Sequence, residues 1–235
     1  MAEHTESHAV GLGRIVVSGG TGLIGSVLVP TLVANGNEVY VITRDVRRVP
    51  AGAIPIVTDI TDRNWVATCR STLPEIDHLI WMAYAQSGKT ERDRQITYSS
   101  LVQLMEAIAV RNVLFVGSTG VYGQDPAPGI YTEQSEKVGD TAYARDKIAA
   151  IGYLQKRSDV QSITVLNPSI VYSRDSSRVK YYSKLLATGY LLYEKTGSGF
   201  YNIVHNHDAA DAIARALGRR AGARFEEYIL NGETI

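Results

Sequence analysis

Short runs of β-branched and aliphatic residues alternate along this chain with longer stretches whose apolar positions recur every three to four residues. The runs Arg14 to Ser18, Glu38 to Thr43, Ile54 to Thr58, His78 to Met82, Val113 to Gly117 and Ser162 to Leu166 are close to continuously apolar, as strands covered on both faces are. Between them, Leu23 to Asn35, Asp62 to Ser71, Arg92 to Val110 and Ala142 to Lys156 have helical spacing. This alternation predicts an α/β fold, a doubly wound parallel Rossmann-type sheet with helices on both faces. Pro30 lies past the first turn of the first helix and predicts a kink or a local irregularity there. After Asn167 and Pro168 the period-two runs fade and tyrosines become frequent, with Tyr172, Tyr181, Tyr182, Tyr190, Tyr193 and Tyr201. The reading is a flexible extension over 1–13, a dinucleotide-binding domain over 14–167 and a small substrate lobe over 168–235, with segments returning to the main sheet. The tyrosines are expected to form part of a pocket wall.

Composition narrows the picture without adding chemistry. At 235 residues and 45% hydrophobic, the chain can bury one sizeable core without disulfide or metal staples. Lys plus Arg equals Asp plus Glu at 24 each, so no global charge calls for nucleic acid or an anionic membrane. The single cysteine, Cys69, excludes an internal disulfide and reads as packing. Residues 1–13 lack the basic start and apolar run of a signal peptide, and no window approaches the roughly 20 apolar residues of a membrane span. The expectation is a cytoplasmic protein with a small-molecule substrate; the oligomeric state stays open, a homodimer included.

Any anion site must therefore be local, and one is written into the first βα turn. The strand RIVVS runs into Gly19, Gly20, Thr21, Gly22, Leu23, Ile24 and Gly25. Glycines suit this turn because it is tight, a pyrophosphate must approach the backbone, and helix and strand pack closely. The helix start then offers free N–H groups to phosphate. At the end of the second strand, where a carboxylate would hold the ribose hydroxyls of NAD, the chain reads Thr43, Arg44, Asp45. Arg44 can pair with a 2′-phosphate, with Arg47 and Arg48 adding positive charge, so NADP is preferred and NAD is the alternative. After the third strand, Asp59 and Ile60 stand where a carboxylate would meet the adenine, although Asp59 serves equally as a helix cap.

The fifth strand ends in Ser118, Thr119, Gly120, Val121, Tyr122, Gly123, and Tyr143 and Lys147 follow at Y-x-x-x-K spacing. Four residues on a helix put Tyr143 and Lys147 on one face. There an ammonium would lower the phenol pKa and suit it to exchange a proton with a substrate oxygen, which Ser118 would also bind. The segments GGTGLIG, STGVYG, YARDK, LNPSIVYS and NIVHNHDAADAIARAL together resemble the extended short-chain dehydrogenase/reductase family, also called the NAD-dependent epimerase/dehydratase family. The resemblance implies that Ser118, Tyr143 and Lys147 are catalytic, that Lys147 also binds the nicotinamide ribose, and that the stretch from Asn167 to Val171 lines the nicotinamide pocket.

Three features depart from the family pattern. Thr97 stands where an asparagine often supports a proton relay. His207 replaces an aspartate beside His205, leaving Asp208 as the matching acid, and the two histidines read as structural because no further ligand cluster accompanies them. The substrate side is shortened after Tyr228 to Glu233. The leading expectation is an NAD(P)-dependent oxidoreductase moving a hydride at an alcohol or carbonyl carbon of a small organic substrate. A nucleotide-sugar epimerase or dehydratase with tightly held NAD, and a non-catalytic dinucleotide sensor, are the alternatives.

Overall fold

Ile15, Val16 and Val17 of β1 (Arg14–Ser18) are each fully buried, so this strand has no solvent face and must sit inside a sheet covered on both sides. In the computed structural model, which describes residues 11–84, 96–123, 130–174, 176–189, 202–219 and 222–234, it does. β1 lies between β2 (Glu38–Thr43) and β4 (Ile76–Trp81). β3 (Ile54–Val57) pairs outside β2. On the other side follow β5 (Val110–Val116), β6 (Ser162–Pro168) and β9 (Phe225–Leu230). The resulting order is β3-β2-β1-β4-β5-β6-β9, and every neighbouring pair is parallel.

Side-chain alternation along the strands divides the core into two layers. Ile15, Val17, Val39, Val41 and Ile80 pack with Leu28, Val29 and Leu32 of α1 (Gly25–Ala34) and Ile213 and Leu217 of α6 (Asn206–Gly218). Val16, Tyr40, Leu79, Trp81 and Phe115 face α2 (Trp65–Thr72), α3 (Ile96–Ala107) and α4 (Ala142–Lys156), which contribute Trp65, Leu101, Leu104, Ile151 and Leu154. The sheet is thus sandwiched between helices, the expected architecture. α1 runs on through the exposed Pro30 without interruption, so no break appears there. α2 begins at Trp65, later than the apolar spacing suggests, and Asp59 does not cap it: its Oδ1 accepts the Thr61 N–H (3.0 Å) and hydroxyl (2.9 Å) in a local turn before the helix.

Beyond Pro168 the chain divides its residues between two places. β7 (Ile170–Tyr172), β8 (Asn202–His205) and β10 (Glu233–Thr234) form a separate three-stranded sheet. α5 (Ser177–Ala187) follows β7. α6 and β9, by contrast, complete the main body.

Candidate functional site

The glycine turn brings β1 into α1 at close quarters. Gly19 has φ +77°, and a Cβ there would stand 2.9 Å from the Ala83 nitrogen. At Gly25 a Cβ would meet Gly19 O and Gly20 Cα, both at 2.5 Å, so this glycine lets the helix start lie against the turn. Gly22 differs: its Cβ would meet only Gly19 O, at 3.1 Å, and the residue is exposed. The open side of the turn is therefore at Gly22. Ile24 caps α1 without a side-chain hydrogen bond, and the N–H groups of Leu23 and Ile24 have no backbone acceptor among the described residues. Those free donors and the bare Gly22 fit a phosphate.

A groove of about 710 Å³ opens at this turn, lined by Gly19, Gly22, Leu23, Ile24, Gly25 and, farther along, Arg44, Asp59 and Ile60. Eight of the ten residues read as cofactor-binding thus share one surface. Arg44 Nη1 lies 3.8 Å from Asp59 Oδ2, and Arg48 Nη2 donates to the Thr21 carbonyl at 2.9 Å. Asp45 is committed elsewhere: Arg47 donates to its two oxygens from Nε and Nη2, both at 2.9 Å. That pairing and the Arg47 backbone N–H hold the Asp45 carboxyl below its ordinary pKa.

Tyr143 and Lys147 lie in the first half of α4, whose N-terminus is capped by the Thr141 hydroxyl accepting from Ala144 N at 3.0 Å. Burial pushes the Tyr143 phenol above its usual pKa, while the nearby Ser118 hydroxyl pulls it back. This differs from the expectation that Lys147 lowers it. The reason is geometric: Lys147 Nζ is 5.8 Å from the Tyr143 ring centre and donates instead to the Val116 carbonyl at 2.8 Å. Lys147 is itself almost fully buried, and desolvation drops its pKa to about 8 against the opposing pull of Asp146.

Asn167 is fully buried, and both ends of its amide are in use. Its Oδ1 accepts the Ser118 N–H at 3.1 Å and its Nδ2 donates to Glu227 Oε1 at 2.6 Å. A Cβ on Gly117 would stand 2.0 Å from that Oδ1, so glycine is required where the strand passes. Glu227 Oε2 pairs with Lys137 Nζ at 3.1 Å, with side chains 8% and 19% exposed. Asn167 therefore stands behind Ser118 as its support, apart from the groove.

Sequence reasoning missed Asp146, Glu227 and Tyr84. Glu227 had a weak signal, an acid pair set within the otherwise apolar FEEYIL, whereas Asp146 stands between Arg145 and Lys147 and reads as part of a solvated charged turn. Tyr84 lines the groove and had none. Of the lobe tyrosines, Tyr172 is partly buried and meets His205 edge-on at 5.2 Å, and Tyr181 is 57% exposed. Tyr190, Tyr193, Tyr201 and the side chains of Tyr182 and Thr97 lie outside the described part of the chain. His205 and His207 stack at 5.3 Å, and no cluster of three or more metal-binding side chains occurs among the described residues. Cys69 is buried with its thiol pushed up to about 12 by desolvation, the state of a packing residue. No described helix is long and apolar enough to cross a membrane. A separate hollow of about 750 Å³ between α6 and the face of β5, β6 and β9 contains none of the candidate residues.

Known proteins resemble this arrangement in sequence and in shape. The chain is 28% identical over 247 residues to a 3-beta-hydroxysteroid dehydrogenase of Mycolicibacterium neoaurum, covering 95% of this chain and 67% of that protein. It is 27% identical over 230 residues to a 3-diazoavenalumate denitrifying reductase of a Streptomyces species, covering 88% and 73%. Among solved structures, the UDP-glucose 4-epimerase of Thermotoga maritima with UDP-glucose superposes with a TM-score of 0.77 at 20% identity, over 94% of this chain and 78% of that one. The UDP-glucose 4-epimerase of Thermus thermophilus in complex with NAD gives 0.76 at 22%, over 94% and 79%. At these identities the structural likenesses speak for the fold. The profile of the NAD dependent epimerase/dehydratase family matches residues 15–230, and the chain accordingly belongs to that family as an NAD(P)-dependent enzyme.

Proposed function

We propose that the protein is an NADP-preferring oxidoreductase acting at an alcohol or carbonyl carbon of a small organic substrate, with Tyr143, Ser118 and Lys147 as its catalytic set. The observation that supports this reading is the Ser118 hydroxyl at the Tyr143 phenol, with Lys147 buried 5.8 Å from the same ring and Tyr84 of the groove meeting that ring edge-on. A bound nicotinamide dinucleotide supplies or accepts the hydride. The chain's own part is the proton: Tyr143 donates it to, or takes it from, the substrate oxygen, and Ser118 orients that oxygen by a hydrogen bond. Lys147, cationic below about pH 8, places a positive charge 5.8 Å from the Tyr143 ring while it is held on the Val116 carbonyl.

Arg44 and Arg48 line the groove while Asp45 is bound by Arg47, which supports NADP over NAD, since a 2′-phosphate wants arginine and a ribose diol wants a free carboxylate. Titration of wild type and Arg44→Ala with both cofactors tests this. NADP should bind more tightly to wild type and lose its advantage in the variant; equal affinities in wild type refute the preference. The nucleotide-sugar reading draws on fold neighbours, whereas the relatives by sequence are a dehydrogenase and a reductase. Turnover is sought first by following NADPH absorbance with a panel of ketones, aldehydes and nucleotide sugars.

A further inference from the structure

Apolar side chains line part of the groove near Tyr143. Met82 and Tyr84, just past the end of β4, line it together with Val116 and Val171. The backbone here is firmly held, because Met82 N donates to Ser18 O at 3.1 Å and Ala83 N to Ser18 Oγ at 3.3 Å. The Gly19 backbone lies against the same residues. Tyr84 thus extends from a fixed point, and its ring meets that of Tyr143 edge-on, with centroids 4.7 Å apart and planes at 90°. The ring is partly exposed, so it presents apolar surface in the groove right beside the phenol proposed to exchange the proton.

We infer that Tyr84 is the wall against which the substrate lies, and that it selects a flat, largely apolar ring bearing an alcohol or ketone over a nucleotide sugar. The inference rests on the reading of Tyr143 as the group that faces the substrate oxygen. A flat ring set against Tyr84 buries apolar area on both partners and gains the stacking preference of aromatic faces. A sugar hydroxyl turned toward Val116, Val171 or Met82 surrenders water and meets at most the weak thioether acceptor of Met82, and the Tyr84 hydroxyl can serve few of a sugar's several polar groups. Tyr84 has two side-chain torsions and is braced by Tyr143, so little freedom is lost when the ring is covered. The phenol of Tyr143 stays available to the oxygen at the ring's edge.

The test is an equilibrium one and needs no turnover. The full chain, saturated with NADP+ separately for each variant, is titrated with 2-naphthol by fluorescence and with UDP-glucose by calorimetry. Wild type should bind 2-naphthol more tightly than UDP-glucose. Tyr84→Ala should weaken 2-naphthol by about tenfold, and Tyr84→Phe, which keeps the ring, should stay within about twofold of wild type. Tyr84→Leu keeps apolar volume without a flat face; it should fall between them and serves if the alanine variant does not fold. Undiminished 2-naphthol binding in Tyr84→Ala and Tyr84→Leu, a phenylalanine variant as weak as alanine, or tighter binding of UDP-glucose by wild type would each overturn the inference. Failure of the catalytic reading shows up elsewhere, in the turnover of Tyr143→Phe.

Discussion

Lys147 Nζ donates to the main-chain carbonyl of Val116 at 2.8 Å, which ties α4 to the end of β5 through a cation withdrawn from water. The Phe115 ring lies 4.8 Å from the same nitrogen and offers it a π face. These contacts replace only part of the lost hydration, and the pKa falls to about 8.

That fall has a consequence for stability. An unfolded chain keeps the lysine proton to about pH 10.4, whereas the folded one releases it near 8. Between these values the unfolded state binds more protons, so the stability tied to this residue is lowest below pH 8 and rises toward pH 10.4. Lys147→Met removes this titration and, apart from the neighbouring Asp146 that the lysine also influences, leaves the other titrating groups in place, so the difference between the two reads the lysine with its partner. Urea unfolding from pH 7 to 10 should show wild type gaining on the variant by on the order of 3 kcal/mol. Curves that stay parallel would contradict a buried, desolvated lysine.

Asp146 is the opposing charge. Its Oδ1 accepts the Tyr98 N–H in the first turn of α3 at 3.1 Å, so one carboxylate both caps α3 and helps Lys147 to keep its proton. Asp146→Asn preserves an acceptor for Tyr98 and removes the charge. The rise of stability with pH should then begin below pH 8, because Lys147 loses its proton earlier. The same unfolding series reads this as a shift of onset, and an unmoved onset would show that Asp146 does not act on Lys147.

The glycine turn separates packing from binding. A side chain at Gly25 would strike the Gly19 and Gly20 backbone at 2.5 Å, so Gly25→Val should lower stability markedly, by several kcal/mol as overpacking does. At Gly22 the space on the protein side is nearly free, so Gly22→Val should keep its fold and lose the dinucleotide. The motif alone suggests the same outcome for both positions; the backbone contacts distinguish them. Melting curves and cofactor titration, run side by side, decide it. Normal dinucleotide binding by a folded Gly22→Val would remove the turn as a phosphate cradle.

Much of the fold is legible in the sequence because the central strands are buried on both faces and announce themselves as apolar runs: β1, β2 and α4 have the bounds read from the sequence. β9 hides because FEEYIL carries Glu226 and Glu227, which look solvent-facing. The Glu227 side chain is only 8% exposed and is paired with Lys137, a contact across 90 positions that no local pattern shows. The direction of the Tyr143 shift escapes the sequence for a similar reason. Four residues along a helix place Lys147 on the phenol's face, but its long side chain reaches Val116 instead. Spacing fixes faces, and side-chain length decides partners.

Tyr143→Phe tests the catalytic reading most directly. The substitution removes one oxygen and keeps the ring, so the edge-on contact with Tyr84 and the packing of α4 should survive. What is lost is the proton exchanged with the substrate oxygen, and general acid–base groups of this kind contribute about 10²- to 10⁴-fold. Turnover should therefore fall at least about a hundredfold while dinucleotide affinity stays near wild type. Ser118→Ala should lose less, because it removes one hydrogen bond to the reacting oxygen while the Ser118 N–H remains held by Asn167. Lys147→Met should harm turnover and dinucleotide binding together, if the lysine both biases the phenol and reaches the nicotinamide ribose. With any substrate found among the ketones, aldehydes and nucleotide sugars, the separate measurement of kcat and cofactor Kd distinguishes these patterns. Wild-type turnover by Tyr143→Phe would show that another group carries the proton. Tight dinucleotide binding with no turnover of any panel member would instead favour a protein that senses the cofactor.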